Sequence, residues 1–114
     1  MRVTYMPSSN TATNGAQLSA TFGDDVRLFK LIVGAPVSAG NIVIYSINNP
    51  VNGASTNIAA KLTLPTFSTT NPNPGVYVFD FGSEGLPLID GGAIIIDQTM
   101  QVSALWELND DAQN

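Results

Sequence analysis

Residues 75–96 read GVYVFDFGSEGLPLIDGGAIII, two intensely apolar β-type runs separated by glycines, one proline and three acids, Asp80, Glu84 and Asp90. In the first run Val76 and Val78 lie on one alternating face and Tyr77, Phe79 and Phe81 on the other. A strand with one wet face alternates apolar with polar residues, so a run that is apolar on both faces needs cover on both sides. In a small protein a second subunit can supply the outer cover. This stretch therefore bears on function as well as on fold.

Outward from this centre, the same period-2 pattern recurs. Toward the C-terminus, Gln101–Leu108 sets Val102, Ala104, Trp106 and Leu108 on one face, and Asn109–Asn114 is a polar acidic tail. Toward the N-terminus, Pro65–Pro74 is an irregular loop stiffened by Asn71-Pro72-Asn73-Pro74, within which Phe67 is either a buried plug or an exposed anchor. Ile58–Leu64 alternates regularly, with Ile58, Ala60, Leu62 and Leu64 inward, and the loop Asn48–Asn57 carries the tight-turn signal Asn52-Gly53. Asn41–Ile47 and Val26–Val33 are again apolar on both faces; in the latter, Val26, Leu28 and Ile32 share a face with Lys30, and Phe29, Leu31 and Val33 share the other with Arg27. Gly23-Asp24-Asp25 is a turn, Ala16–Phe22 a half-buried strand, Pro7–Gly15 a polar loop and Arg2–Met6 the first strand. About eight short strands with Gly-, Pro- and Asn-rich connections predict one all-β domain over residues 1–114, an antiparallel β-sandwich of jelly-roll-like arrangement.

Composition narrows the function. The 114 residues include neither cysteine nor histidine, which removes disulfides, thiolate metal sites and the usual general base, metal ligand and pH switch. Charged residues are only 11% of the chain, while Asn, Ser and Thr supply 30 residues, so the expected surface is polar but weakly charged. Residues 1–65 carry a net +2 and residues 66–114 a net −7, giving −5 overall. That balance disfavours phosphate-backbone binding, which rests on Lys and Arg. The asymmetry fits either an acidic solvated face or a charge pattern that orients subunits. No run of about 18 apolar residues and no secretory leader is present, pointing to synthesis as a soluble intracellular protein, with neither nucleic acid nor membrane as partner.

The candidate chemistries are thin. Asp80, Glu84, Asp90 and Asp97 supply carboxylates for an acid/base pair, but they stand where turns and strand ends need polar caps. Calcium at Asp80, Glu84 and Asp90 lacks the Asp-x-Asp-x-Asp-Gly spacing. Phe81-Gly82-Ser83-Glu84-Gly85 is not a nucleophile elbow, and neither Lys30 nor Lys61 stands in a motif with a serine. The expectation is no enzyme, no catalytic residue, no metal and no cofactor. A sugar-stacking platform would draw on Tyr5, Tyr45, Tyr77, Trp106 and Phe67, although all but Phe67 fall in strand-like alternation and suit core or subunit packing. Two-sided apolar strands leave more hydrophobic surface than a monomer normally exposes. Oligomerisation through Phe29, Leu31, Tyr45, Phe67, Tyr77, Phe79 and Phe81 would remove the conflict; so would bulges that shift register and bury some outer residues.

The strand ending Asp80-Phe81-Gly82, followed by Gly85-Leu86, by Asp90-Gly91-Gly92 and by an aliphatic strand, resembles small β-sandwich proteins encoded among tailed-phage virion genes. Leu31–Tyr45 and Val102–Glu107 resemble the same kind of sequence, so the likeness spans residues 26–107. The resemblance implies a capsid decoration or cement protein, commonly a homotrimer, bound to the major capsid protein on the virion surface after synthesis in the host cytoplasm. It transfers no catalytic residue. Residues 1–25 lie outside it and are expected to include an arm, residues 1–15, that latches onto neighbours. The alternative from a different class is a tail or fibre knob that binds host-surface glycan.

Overall fold

The computed structural model describes residues 1–7, 9–11, 15–18, 25–34, 40–50, 56–64, 76–98 and 100–108. Nine strands run in order: β1 (Arg2–Met6), β2 (Ala16–Gln17), β3 (Val26–Gly34), β4 (Gly40–Tyr45), β5 (Ile58–Leu64), β6 (Val76–Asp80), β7 (Leu86–Leu88), β8 (Ala93–Ile96) and β9 (Gln101–Leu108). The expected residues 19–22 of the second strand, Gly23-Asp24, Asn52-Gly53, the loop Pro65–Pro74 with Phe67, and the tail Asn109–Asn114 lie outside the described residues.

The pairing is nested. β1 pairs with β9, β2 with β8, β3 with β6 and β7, and β4 with β5, all antiparallel. Such nesting is one long ribbon folded back at the β4–β5 hairpin. Two further pairings, β9 with β3 and β8 with β4, knit the ribbon into a sheet β1-β9-β3-β6, with β7 also on β3, and a sheet β2-β8-β4-β5. This is a jelly-roll β-sandwich. Its core interleaves side chains of both sheets, among them Leu28, Leu31 and Val102 from one and Ile42, Ile44 and Ile96 from the other, all with no exposed surface. Each such burial contributes roughly 1.5–3 kcal/mol, and β-branched residues suit the pleated surfaces that supply them.

Two bulges decide which faces turn inward. In β3, Leu28 stands opposite Trp106 and Lys30 opposite Leu105, which leaves Phe29 as an extra residue. Because side-chain direction has period 2, one inserted residue exchanges the faces of everything beyond it. Val26 and Leu28 are therefore buried together with Leu31 and Val33, while Lys30 and Ile32 face out. This corrects the expected grouping of Ile32 with Val26 and Leu28. In β5 the register shifts against Ile44 and Tyr45, Ile58 is exposed, and both Ala59 and Ala60 pack against the core, contrary to the regular alternation of the sequence.

The β3 irregularity is matched on its other side. β6 covers Lys30–Gly34 and β7 covers Val26–Leu28, with residues 81–85 looping out between them. The loop is pinned by Phe81 N–H donating to Phe29 O at 2.9 Å, and by Gly82 N–H donating to Asp80 Oδ1 at 2.9 Å. The whole of Gly82–Asp90 reads as a connection in the sequence, yet it contains β7. Pro87 is tolerated there because β7 lies at a sheet edge, where a missing N–H need not break the ladder.

Candidate functional site

Four strands, β3, β4, β6 and β8, are apolar on both faces in the sequence, and the structure covers them in different ways. All four residues of β8 are buried. Ile94 and Ile96 belong to the central core, while the other face, Ala93 and Ile95, lies outside it. There the chain itself supplies the neighbour: Gly15 sits against Ile95, and Asn10 borders the strand. The Asn10 side chain donates from Nδ2 to Ile94 O at 3.1 Å and accepts at Oδ1 from Ile96 N–H at 2.8 Å. An amide with donor and acceptor side by side thus imitates a further strand. The described part of residues 1–15 joins the sandwich, with β1 as an edge strand of one sheet and Asn10 bonded to the other.

No such cover lies over the outer face of the β1-β9-β3-β6 sheet among the described residues. The registers align Tyr5, Ser103, Ile32 and Val78 in one row across four strands, and Val3, Leu105, Lys30 and Asp80 in the next. Val3 is 64% exposed, Tyr5 56%, Ile32 37%, Val76 62% and Val78 57%. Neighbouring positions on adjacent strands make these a contiguous apolar band rather than scattered residues. At one end the band gives way to paired charges: Lys30 Nζ lies 3.9 Å from Asp80 Oδ2, and the N-terminal amine 3.5 Å from Glu107 Oε1. Exposed pairs of this kind add little stability, but they leave the face locally neutral in a chain of net charge −5.

The residues expected at an interface fall elsewhere. Leu31 is fully buried in the sandwich because of the bulge at Phe29, and Tyr45 is buried on β4. Phe29 is half-buried, and Tyr77, Phe79 and Phe81 are half-buried against the core. Tyr77 and Phe79 pack tilted, with ring centroids 6.4 Å apart. Phe67 lies outside the described residues. On this sheet face the exposed apolar positions are instead the partners of Tyr77 and Phe79 on the opposite side, Val76 and Val78, together with Ile32, Val3 and Tyr5.

The carboxylates serve the fold. Asp80 holds the turn at Gly82 and faces Lys30. Asp97 accepts from Asn41 N–H at 2.7 Å and from Asn41 Nδ2 at 2.9 Å, and Asn41 Oδ1 in turn accepts from Thr63 Oγ1 at 2.9 Å. This chain ties β8, β4 and β5 together at one end. Asp80, Glu84 and Asp90 are not gathered: among the described residues no three metal-ligating side chains are placed to hold an ion. Of the aromatics, Trp106 is buried, with Nε1–H donating to Thr4 Oγ1 at 2.9 Å and the Arg2 guanidinium 5.3 Å from its ring centroid. Tyr5 alone among the described stacking candidates lies well exposed, beside an open cleft of about 290 Å³ that Pro7, Asn10 and Gly15 also line.

Fold and site together define a jelly-roll sandwich whose most distinctive surface is an apolar sheet face. No protein-family model, curated protein or solved structure matches the chain.

Proposed function

We propose that the chain is a structural subunit of an assembly, and specifically a decoration or cement subunit of a tailed-phage capsid. The observation that carries this is the exposed band Val3, Tyr5, Ile32, Val76 and Val78 gathered on one sheet face. The resemblance of residues 26–107 to virion β-sandwich proteins supplies the kind of assembly. Copies of the chain and the major capsid protein are its partners, at the virion surface. Burying the band against them removes apolar area from water, at roughly 25 cal/mol per Å². A subunit that binds only the closed shell stabilises that shell by mass action, with no chemical step. Synthesis takes place in the host cytoplasm before the subunit joins the particle.

The test is binding of purified protein to empty, undecorated tailed-phage heads, followed by heating of the particles. Saturable binding that raises the temperature of head disruption is the expected result. Absence of binding combined with specific glycan-array signals, lost on Tyr5→Ala, would replace this function with host-surface recognition at the Tyr5 cleft.

A further inference from the structure

Sheet edges expose unpaired backbone groups, and proteins guard them with charge, proline, bulges or extra segments. Four edges besides β6 are guarded. β1 opens on the charged Arg2 and is followed directly by Pro7. The β2–β8 edge is short and is completed by Asn10. β5 carries an exposed Lys61 at its centre and a register shift beside it. β7 carries Pro87 and follows the loop at residues 81–85. β6, Val76-Tyr77-Val78-Phe79-Asp80, has no proline, lysine, glycine or bulge.

The direction of its free groups follows from the ladder. Phe81 N–H donates to Phe29 O, and the register runs without interruption from Lys30 opposite Asp80 to Gly34 opposite Val76. Backbone groups alternate sides along a strand, so Tyr77 and Phe79 point theirs at β3 while Val76, Val78 and Asp80 point theirs away. On that side these three have no backbone partner among the described residues.

We infer that β6 pairs antiparallel with β6 of a second copy of this chain across a two-fold axis at Val78. In this register Val78 faces Val78 and Val76 faces Asp80 of the other copy, each pair exchanging two N–H···O bonds, and Tyr77 meets Phe79 on the inner face. It is the register that engages every outward-facing residue of β6. Centring on Asp80 would set like charges opposite each other, which is destabilising. Electrostatics favours the same occupant: Lys30, 3.9 Å from Asp80, neutralises the edge, so two copies meet there without the repulsion their net charge would otherwise bring. The row Tyr5-Ser103-Ile32-Val78 then continues into its counterpart, doubling the apolar face. One pair of short strands makes a small interface, so the dimer is weak in dilute solution and is strengthened when copies are held close together. The pairing deepens the assembly function proposed above by naming one contact within it.

The chain has no cysteine, so single cysteines report register directly. Under mild oxidation Val78→Cys is expected to form a disulfide dimer. A mixture of Val76→Cys and Asp80→Cys should give the mixed dimer while each alone stays monomeric, because identical residues then sit about 13 Å apart, beyond the roughly 7 Å Cα limit of a disulfide. Val78→Pro, which removes an outward N–H, should weaken dimerisation at least tenfold by analytical ultracentrifugation, whereas Ile32→Lys should spare it. Cross-linking at Val78 no faster than at an exposed Tyr5→Cys control, or a trimer that forms without it, overturns the pairing even where capsid binding persists. Cross-linking in the expected register without capsid affinity supports the pairing and overturns the capsid assignment instead.

Discussion

Asn10 shows how much one polar side chain can carry in this fold. Its amide satisfies Ile94 O and Ile96 N–H at once, in a partly buried setting. Asn10→Ala would leave both groups without partners, and an unsatisfied buried group costs about 1–3 kcal/mol. A loss near 2 kcal/mol in urea unfolding is expected, with Tm lower by several degrees. Two glycines separate two kinds of constraint. Gly15 has φ +92°, and a Cβ there would meet Ile95 Cγ1 at 2.6 Å and Ile94 O at 2.8 Å. Gly82 has φ +95° but nothing within 4 Å of the same position. Gly82→Ala is therefore expected to cost about 1 kcal/mol, from backbone conformation alone, and Gly15→Ala clearly more, because strand β8 must also move. Thermal melts of the two variants side by side would reveal the difference. Neither Asn10 nor Gly15 was legible as structural in the sequence, since each acts on residues some 80 positions away that no local pattern marks.

Strands were the most legible level. β1, β5 and β9 fall where alternation places them, and β3, β4, β6 and β8 within two residues of it. β7 was hidden because Gly-Leu-Pro-Leu reads as a connection when nothing shows that its proline lies at an edge. The faces of β3 were hidden because the extra residue Phe29 is apolar like its neighbours, so the sequence carries no mark of a bulge. The structure makes that point measurable. Leu31→Ala should cost about 2–5 kcal/mol as a core truncation, whereas Ile32→Ala, on the outer face, should cost less than about 1 kcal/mol. Equal losses in denaturant titrations would reject the bulged register.

For the molecule as a whole, the nested pairing brings the ends of the chain together: β1 joins β9, and β2 joins β8 across more than seventy residues. Pairing of this range is assembled late and slowly relative to local contacts. It also assembles the broad apolar face that stays uncovered among the described residues. Tyr5→Lys combined with Ile32→Lys places charge in the middle of the band on exposed positions. Folding should be nearly unaffected, with Tm within a few degrees of the parent, while binding to undecorated heads should fall at least tenfold. A double variant that still binds fully would move the docking surface elsewhere on the sandwich.

The sequence by itself determined that this is an all-β domain with several strands apolar on both faces, and with neither histidine nor cysteine for chemistry. Those are local properties: alternation and composition can be read a few residues at a time. Only the tertiary structure decided which of the two-sided strands is satisfied within the chain. The bulge at Phe29 turns Leu31 inward, the segment around Asn10 and Gly15 borders β8, and the outer face of β6 with Val76 and Val78 stays open. Cover is a relation between distant segments. The same pattern of valines and isoleucines is core in β8 and surface in β6 because of what the rest of the chain brings to each.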